Sequence, residues 1–226
     1  CILFTSHLNT PEKIDTAHMA VSNIKKETDL PIIFTGNYPI PISIQQQVNY
    51  SLYTDKNPIA KKPRIVSCGD AHTIDYGFAN FTQILLGMEF CKSLGFDYAH
   101  QLNYDVFLED GEYDRLIEKS KNGDFLYYPW GDDGWNGICV EFFSIKTQEY
   151  IDIIKPVLHY YDNNNPPGIR EDWHGEWFFE WACKFSNLHP TLKNFCDVKH
   201  KSVMGSGGGA AITDTVAEIG TYGKWF

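Results

Sequence analysis

Short apolar runs separated by amphipathic segments constrain the fold of this chain more than any other feature. Ile2 to Thr5 reads as a short buried strand. Thr10-Pro11-Glu12 then offers a helix start with proline at the first helical position, and Ile14, Ala17, His18, Val21 and Ile24 follow at helical spacing. Pro31 to Thr35 is the next buried strand, stopped by Gly36-Asn37-Tyr38-Pro39, and Val48 to Tyr53 looks like a third. Apolar residues at Phe78, Phe81, Ile84, Leu85, Met88 and Cys91 predict a helix from Phe78 to Leu94, closed by Gly95. A strand-like run, Tyr98 to Leu102, comes after it. This β-α-β-(β)-α-β order predicts an α/β fold with a mostly parallel sheet flanked by helices and ligands at the carboxyl ends of its strands.

The second half is more mixed. Asp124 to Tyr128 and Ile138 to Ile145 are strand candidates around a Gly/Asp/Trp loop, and Thr147 to Tyr161 reads as one helix. Asn163-Asn164-Asn165-Pro166-Pro167-Gly168 is a loop, and helical character resumes near Asp172 and runs to Phe185. Met204-Gly205-Ser206-Gly207-Gly208-Gly209 is too flexible to pack by itself. No repeat or interdomain linker stands out, so residues 1–226 are expected to form a single domain, with a first half to 110 and a second from 111.

The charge of −10 argues against general nucleic-acid binding, which needs Lys and Arg to replace counterions. No run of apolar residues is long enough to span a membrane. No signal peptide is visible, although the opening directly on a strand at Cys1 leaves room for native residues ahead of it. The six cysteines form no C-x-x-C pair and lie mostly in apolar runs, which favours reduced buried thiols, no structural zinc and a cytoplasmic setting. Aromatics reach 15% and many sit in polar surroundings, where flat rings stack on sugars or bases as readily as they pack a core.

Four constellations carry candidate chemistry. Asn103 and Asp105 end the Tyr98 strand one residue apart. Strand alternation puts i and i+2 on one face, so both oxygens could meet one Mg²⁺ or Mn²⁺; a solvated strand-end turn is the plainer reading. The acidic pair Glu109 and Asp110 follows the next apolar triplet. Arg170-Glu171-Asp172-Trp173-His174-Gly175-Glu176 clusters carboxylates at a helix start, where Asp172 is either a base held deprotonated or an ordinary N-cap, with Glu176 one turn on. The loop from Trp130 through Asp132, Asp133, Trp135 and Asn136 is either a sugar-binding set of rings and oxygens or a glycine-rich hairpin with packed indoles. Val198-Lys199-His200-Lys201 sets an imidazole between two cations, able to meet a metal and phosphates or simply to lie on the surface.

The order of elements, the strand ending N-Y-D-V-F-L, the W-N-G-I-C-V-E-F-F-S segment and the R-E-D before a helix resemble glycosyltransferases of the GT-A fold, most closely small phage- or bacterial-type enzymes, over most of residues 1–203. The resemblance implies a nucleotide-binding half, 1–110, and an acceptor-binding half, 111–226. It places Asn103-Tyr104-Asp105 at the family's D-x-D position, with His200 completing the shell of a Mn²⁺ or Mg²⁺ that holds a nucleotide-sugar diphosphate. It makes Asp172 the general base of an inverting transfer, with Glu176 in reserve. It sets Thr5, Ser6 and His7 against the nucleotide, with Asp55, Tyr76 and Asn80 lining the same pocket and Lys199 or Lys201 meeting the diphosphate. One departure stands out: Asn103 is neutral where the family has a carboxylate. The competing readings are a nucleotidyltransferase, which would want a glycine- and lysine-rich loop where this chain reads T-S-H-L-N-T-P-E-K, and a carbohydrate-binding protein that has lost its chemistry.

Overall fold

The structure, a computed structural model, describes residues 1–54, 64–68, 71–75, 77–130, 137–162, 175–186, 193–194 and 200–202. Strand β1 (Ile2–Ser6) is buried along its whole length. Helix α1 (Pro11–Glu27) starts where Thr10 caps it, its side chain accepting from the Lys13 amide, with Pro11 in the first turn. Strand β2 (Ile32–Gly36) and a short helix α2 (Ile42–Gln45) lead to β3 (Tyr50–Tyr53). The expected third strand is therefore shorter than Val48 to Tyr53, and α2 was not legible because four residues give no helical period to read.

Two strands, β4 (Arg64–Cys68) and β5 (Ala71–Asp75), form an antiparallel pair that sequence patterning did not suggest. Helix α3 (Gly77–Ser93) matches the expected one. Strand β6 (Tyr98–Asn103) is followed after two residues by β7 (Val106–Leu108) and then by α4 (Glu112–Ser120), whose preceding Gly111 adopts φ 79°, a left-handed conformation suited to glycine. Strands β8 (Leu126–Trp130) and β9 (Gly137–Lys146) come next. The single helix expected from Thr147 to Tyr161 is two, α5 (Thr147–Ile154) and α6 (Leu158–Asp162). Pro156 explains the break: it has no amide hydrogen to continue the ladder and disfavours helical backbone in the residue before it. Helix α7 (Gly175–Phe185) and the short strands β10 (Lys193–Asn194) and β11 (His200–Ser202) complete the described elements.

The main sheet has seven strands in the order β10-β8-β9-β6-β1-β2-β3. From β3 to β6 every pair is parallel, while β9 runs antiparallel to both β6 and β8. The parallel half is the mostly parallel sheet expected from the β-α-β order, and the antiparallel strands account for the mixed second half. Two apolar layers cover the sheet. On one face α1, α2 and α4 meet β1, β2 and β6 through Val21, Ile24, Ile44, Tyr113, Leu116, Phe4 and Phe34. On the other, α3, α5 and α7 close over an aromatic core in which Phe143 stacks on Tyr150 and meets Phe125 and Phe179 edge-on or nearly so. Fully burying a side chain such as Phe143 is worth about 2–3 kcal/mol, and these rings join β9 to α5 and α7.

Gly87 sets the depth of that layer. A Cβ there would lie 2.7 Å from Leu3 Cδ1 and 3.2 Å from Thr35 Cγ2, so α3 rests directly on β1 and β2 because position 87 has no side chain. The register of the sheet and the close seat of α3 bring the carboxyl ends of β1, β2 and β6 under one helix.

Candidate functional site

Across three adjacent parallel strands the register puts Thr35, Thr5 and Asn103 side by side. They lie two residues beyond Ile33, Leu3 and Gln101, on the face covered by α3. The Thr5 hydroxyl donates to Asn103 Oδ1 at 2.8 Å. The Gln101 amide nitrogen donates to Thr5 Oγ1 at 2.8 Å and to Asn103 Oδ1 at 3.1 Å. From α3, Gln83 donates to the backbone carbonyls of Ser6 at 2.6 Å and Thr35 at 2.8 Å, which ties the ends of β1 and β2 together. Thr35 Oγ1 and Gln101 Oε1 are buried without a partner. A polar row at strand ends is costly to bury unless its groups are bonded or meet a ligand.

Beyond the row, the chain after β1 and β2 converges. His7 Nδ1 and Asn37 Oδ1 are 2.8 Å apart, and the Tyr38 ring meets His7 edge-on at 4.8 Å. Burial lowers the His7 pKa; the Asn37 bond opposes this and the Lys13 charge adds to it. Ser6 is buried, its hydroxyl donating to the Thr35 carbonyl at 3.4 Å. Asn80 is half-buried on the first turns of α3.

The strand alternation behind pairing Asn103 with Asp105 does not extend to Asp105. Strand β6 ends at Asn103, and Tyr104 and Asp105 form a turn before β7, so the period of two stops between them. Asp105 is 1% exposed and its charge is felt by Lys13 of α1, which is 3% exposed and donates to Asn9 Oδ1 at 2.7 Å. Burial pushes the Lys13 pKa down to about 8, and Asp105 holds it up against a further fall. Tyr104 is shifted up by burial first, then by the charges of Asp105 and Glu141. The acidic pair further along points elsewhere: Asp110 is exposed and lies 3.5 Å from Lys26 Nζ.

These facts test whether the Asn103/Asp105 pair suits a divalent ion. A carbonyl oxygen has two lone pairs, and Asn103 Oδ1 already receives two hydrogen bonds. Asp105 is buried, and Lys13 feels its charge. Of this pair the Asn103 oxygen is already taken up, and among the described residues no group of three His, Cys, Asp or Glu is placed to hold a metal.

The antiparallel pairing of β11 with β7 brings the backbone of residues 200–202 to this end of the molecule, with Ser202 opposite Val106 and His200 opposite Leu108. Glu176, in the first turn of α7, is half-buried, and together with Glu141 it raises the Cys139 pKa, although burial is the larger cause. Glu141 is 8% exposed on β9, one position past the Leu102–Phe142 pair. Trp130 ends β8 opposite Gly137. Asp55, Tyr76, Asp132, Asp133, Trp135, Asn136, Asp172 and Lys199 lie outside the described residues, as do the side chains of Trp130, His200 and Lys201.

Sequence reasoning passed over Lys13, Asn37, Tyr38, Gln83, Gln101 and Glu141. For Lys13 a signal existed: it is in phase with Thr16, Ala17, Ala20, Val21 and Ile24, the buried stripe of α1, whereas Ile14 is only partly buried. Asn37 and Tyr38 follow the carboxyl end of a parallel strand, where ligands gather, and were treated only as a strand stop.

A parallel β-α-β half joined through β6 to an antiparallel half is an α/β arrangement of the GT-A-like fold. Among solved structures the chain is similar to mouse xyloside xylosyltransferase 1 in its apo form, at 8% identity and TM-score 0.50, covering 85% of this chain and 84% of that one. It also matches a glycosyltransferase involved in the glycosylation of the major capsid of PBCV-1, at 13% identity and TM-score 0.47, over 87% of this chain and 83% of that one. No protein-family model and no curated protein matches the sequence.

Proposed function

We propose that this protein is a glycosyltransferase that moves a sugar from a nucleotide-diphosphate sugar to an acceptor hydroxyl. The observation that carries the reading is the polar row Thr35, Thr5 and Asn103 at the carboxyl ends of adjacent parallel strands, in a fold shared with a xylosyltransferase. Strand ends of this kind are where open α/β sheets receive ligands. The nucleotide lies against Ser6, His7, Asn37 and Tyr38, with Asp55, Tyr76 and Asn80 along the same pocket. Thr5 acts mainly as a positioning residue, because its hydroxyl is committed to Asn103.

Asp172, three residues before α7, is the proposed base that takes the proton of the acceptor hydroxyl as its oxygen attacks the anomeric carbon. Glu176 is the reserve, and Glu141, which like Glu176 bears on Cys139, adds a second carboxylate. The reaction inverts the anomeric centre. Lys199 and Lys201 meet the departing diphosphate, and the 130–136 segment receives the acceptor through its rings and oxygens. A divalent ion was expected at Asn103, Asp105 and His200; the first two do not fit one as arranged, and no step is assigned to it.

The test is nucleotide release from a panel of UDP, GDP, CMP and TDP sugars without acceptor. The expected result is slow hydrolysis of at least one donor, abolished in Asp172→Asn with donor binding nearly unchanged. Normal turnover in Asp172→Asn would remove that residue from the role, and a chain that neither binds nor hydrolyses any donor would sink the reading. The alternative of a binder that has lost its chemistry predicts binding without hydrolysis.

A further inference from the structure

We propose that Gln83 determines part of the specificity of this site: it meets the nucleoside portion of the ligand as a hydrogen-bond acceptor, and takes a ribose hydroxyl or a base N–H. That the ligand is a nucleotide rests on the glycosyl-transfer reading; the polarity of Gln83 does not.

The polarity follows from its partners. The Gln83 amide nitrogen donates to the carbonyl of Ser6 at 2.6 Å and to that of Thr35 at 2.8 Å. Carbonyl oxygens only accept, so an amide turned the other way would set its own oxygen against both of them. The two N–H groups are therefore spent on the ends of β1 and β2, and Oε1 is held on the side turned away from those carbonyls. Among the described residues nothing donates to Oε1, and Gln83 is half-buried, in contrast to Gln101 and Thr35, whose unpartnered oxygens are enclosed. An acceptor left this way is completed by water or by an O–H or N–H of a ligand, whereas a phosphate oxygen, itself an acceptor, has nothing to offer it.

Its placement points to the nucleoside. Gly87, Gln83 and Asn80 stand three or four residues apart on α3 and so share one face. Gly87 lies against Leu3 and Thr35, and Gln83 against the carbonyls of Ser6 and Thr35. Moving from Gly87 toward Asn80 thus follows β1 toward its carboxyl end, and the half-buried Asn80 continues the line past Ser6. There the chain leaves β1 and β2 as His7, Asn37 and Tyr38, which meet through the 2.8 Å contact of His7 with Asn37 and the edge-on Tyr38 ring. Gln83 holds the two strands one and two residues before them. None of these five polar side chains carries a permanent charge, and a ring among neutral polar groups suits a base and its ribose.

The experiment titrates the full chain with UDP, GDP, CDP and ADP by calorimetry and takes the tightest binder. The titration is then repeated with the 2′-deoxy, 3′-deoxy and base N-methyl analogues of that nucleotide, for the wild type and for Gln83→Met. One analogue is expected to bind the wild type about tenfold more weakly than its parent, and to bind Gln83→Met as well as the parent does. The missing ligand group and the missing acceptor are then the two halves of one hydrogen bond.

Losses that add in full for every analogue would overturn the proposal, as would a wild type indifferent to all three, and in either case nucleotide binding itself would stand. A wild type that binds none of the four nucleotides would sink the glycosyl-transfer reading and the contact with it. Where Gln83→Met does not fold, Gln83→Lys takes its place. Its ammonium keeps donors for the two carbonyls and brings no acceptor, and the added charge acts on parent and analogues alike.

Discussion

Two buried carboxylates, Asp105 and Glu112, lie on either side of β7 in different surroundings. Glu112 sits in the first turn of α4, and Arg115, three residues on, donates to its two oxygens at 2.7 and 2.8 Å. That pair is local, and the Arg115 side chain is 43% exposed. Asp105 is enclosed too, and its charge reaches Lys13, which is also enclosed and stands more than ninety residues earlier in the chain. A local pair steadies one helix turn. The distant charges, by contrast, stand on elements far apart in the sequence, α1 and the turn after β6.

The largest effect should come from separating the enclosed pair. If Lys13 compensates Asp105, whose charge it feels, Lys13→Met should cost about 3 kcal/mol or more in urea unfolding, with Lys13→Met/Asp105→Leu recovering most of the loss. If the single variant costs no more than a surface substitution, Asp105 does not depend on Lys13 and the contrast with Glu112 disappears.

His100 sharpens the comparison, being a buried ionisable side chain bonded to a neutral partner, the Ser144 hydroxyl, at 2.8 Å. Burial pushes its pKa down to about 3. The unfolded chain takes up the proton near pH 6.5 and the folded chain does not until about pH 3, so the unfolded state holds more protons between these values. Stability should therefore fall as pH drops through this window, by about 1.4 kcal/mol per pH unit at most from this group. Urea unfolding at pH 7 and pH 5 checks it, and a slope unchanged in His100→Gln would place the effect elsewhere.

Thr5→Val removes a hydroxyl that both donates and accepts at 2.8 Å, and should cost about 1–2 kcal/mol. It should also shrink the thermal shift caused by the donor, since Asn103 loses its anchor. An undiminished shift would detach Asn103 from donor binding. The smallest effect is expected for Glu112→Gln, about 1 kcal/mol or less in the same unfolding measurement, because its arginine partner is half in water. A loss as large as that of Lys13→Met would show that locality is not what separates the two pairs.

The sequence was most informative where a period could repeat. Strand β1, helix α1, strand β2 and helix α3 were readable because apolar residues recur over several turns or fill a short strand. The β4–β5 pair was not, since Arg64–Cys68 and Ala71–Asp75 carry no clear alternation. Pro156 did announce the break between α5 and α6, but the apolar residues on both sides kept the helical reading going through it. At the site, the type of residue at the end of β6 was legible, whereas its hydrogen bonding was not. Whether Asn103 turns its oxygen or its nitrogen outward depends on Thr5 and Gln101, and no spacing rule encodes that. The link between Lys13 and Asp105 depends on the packing of α1 beside β7.

The pairing of β11 with β7 has a consequence in time. Residues 200–202 hydrogen-bond to residues 106–108, so this corner of the molecule is finished only after some ninety intervening residues have been made and folded. Contacts of such sequence separation form late, because the loop between them must lose its freedom first. On the ribosome the β-α-β half can assemble while β7 still lacks its neighbour. Strand β11 then lies against the segment that follows Asp105, so this corner of the described fold is completed as a late step of the chain's own synthesis.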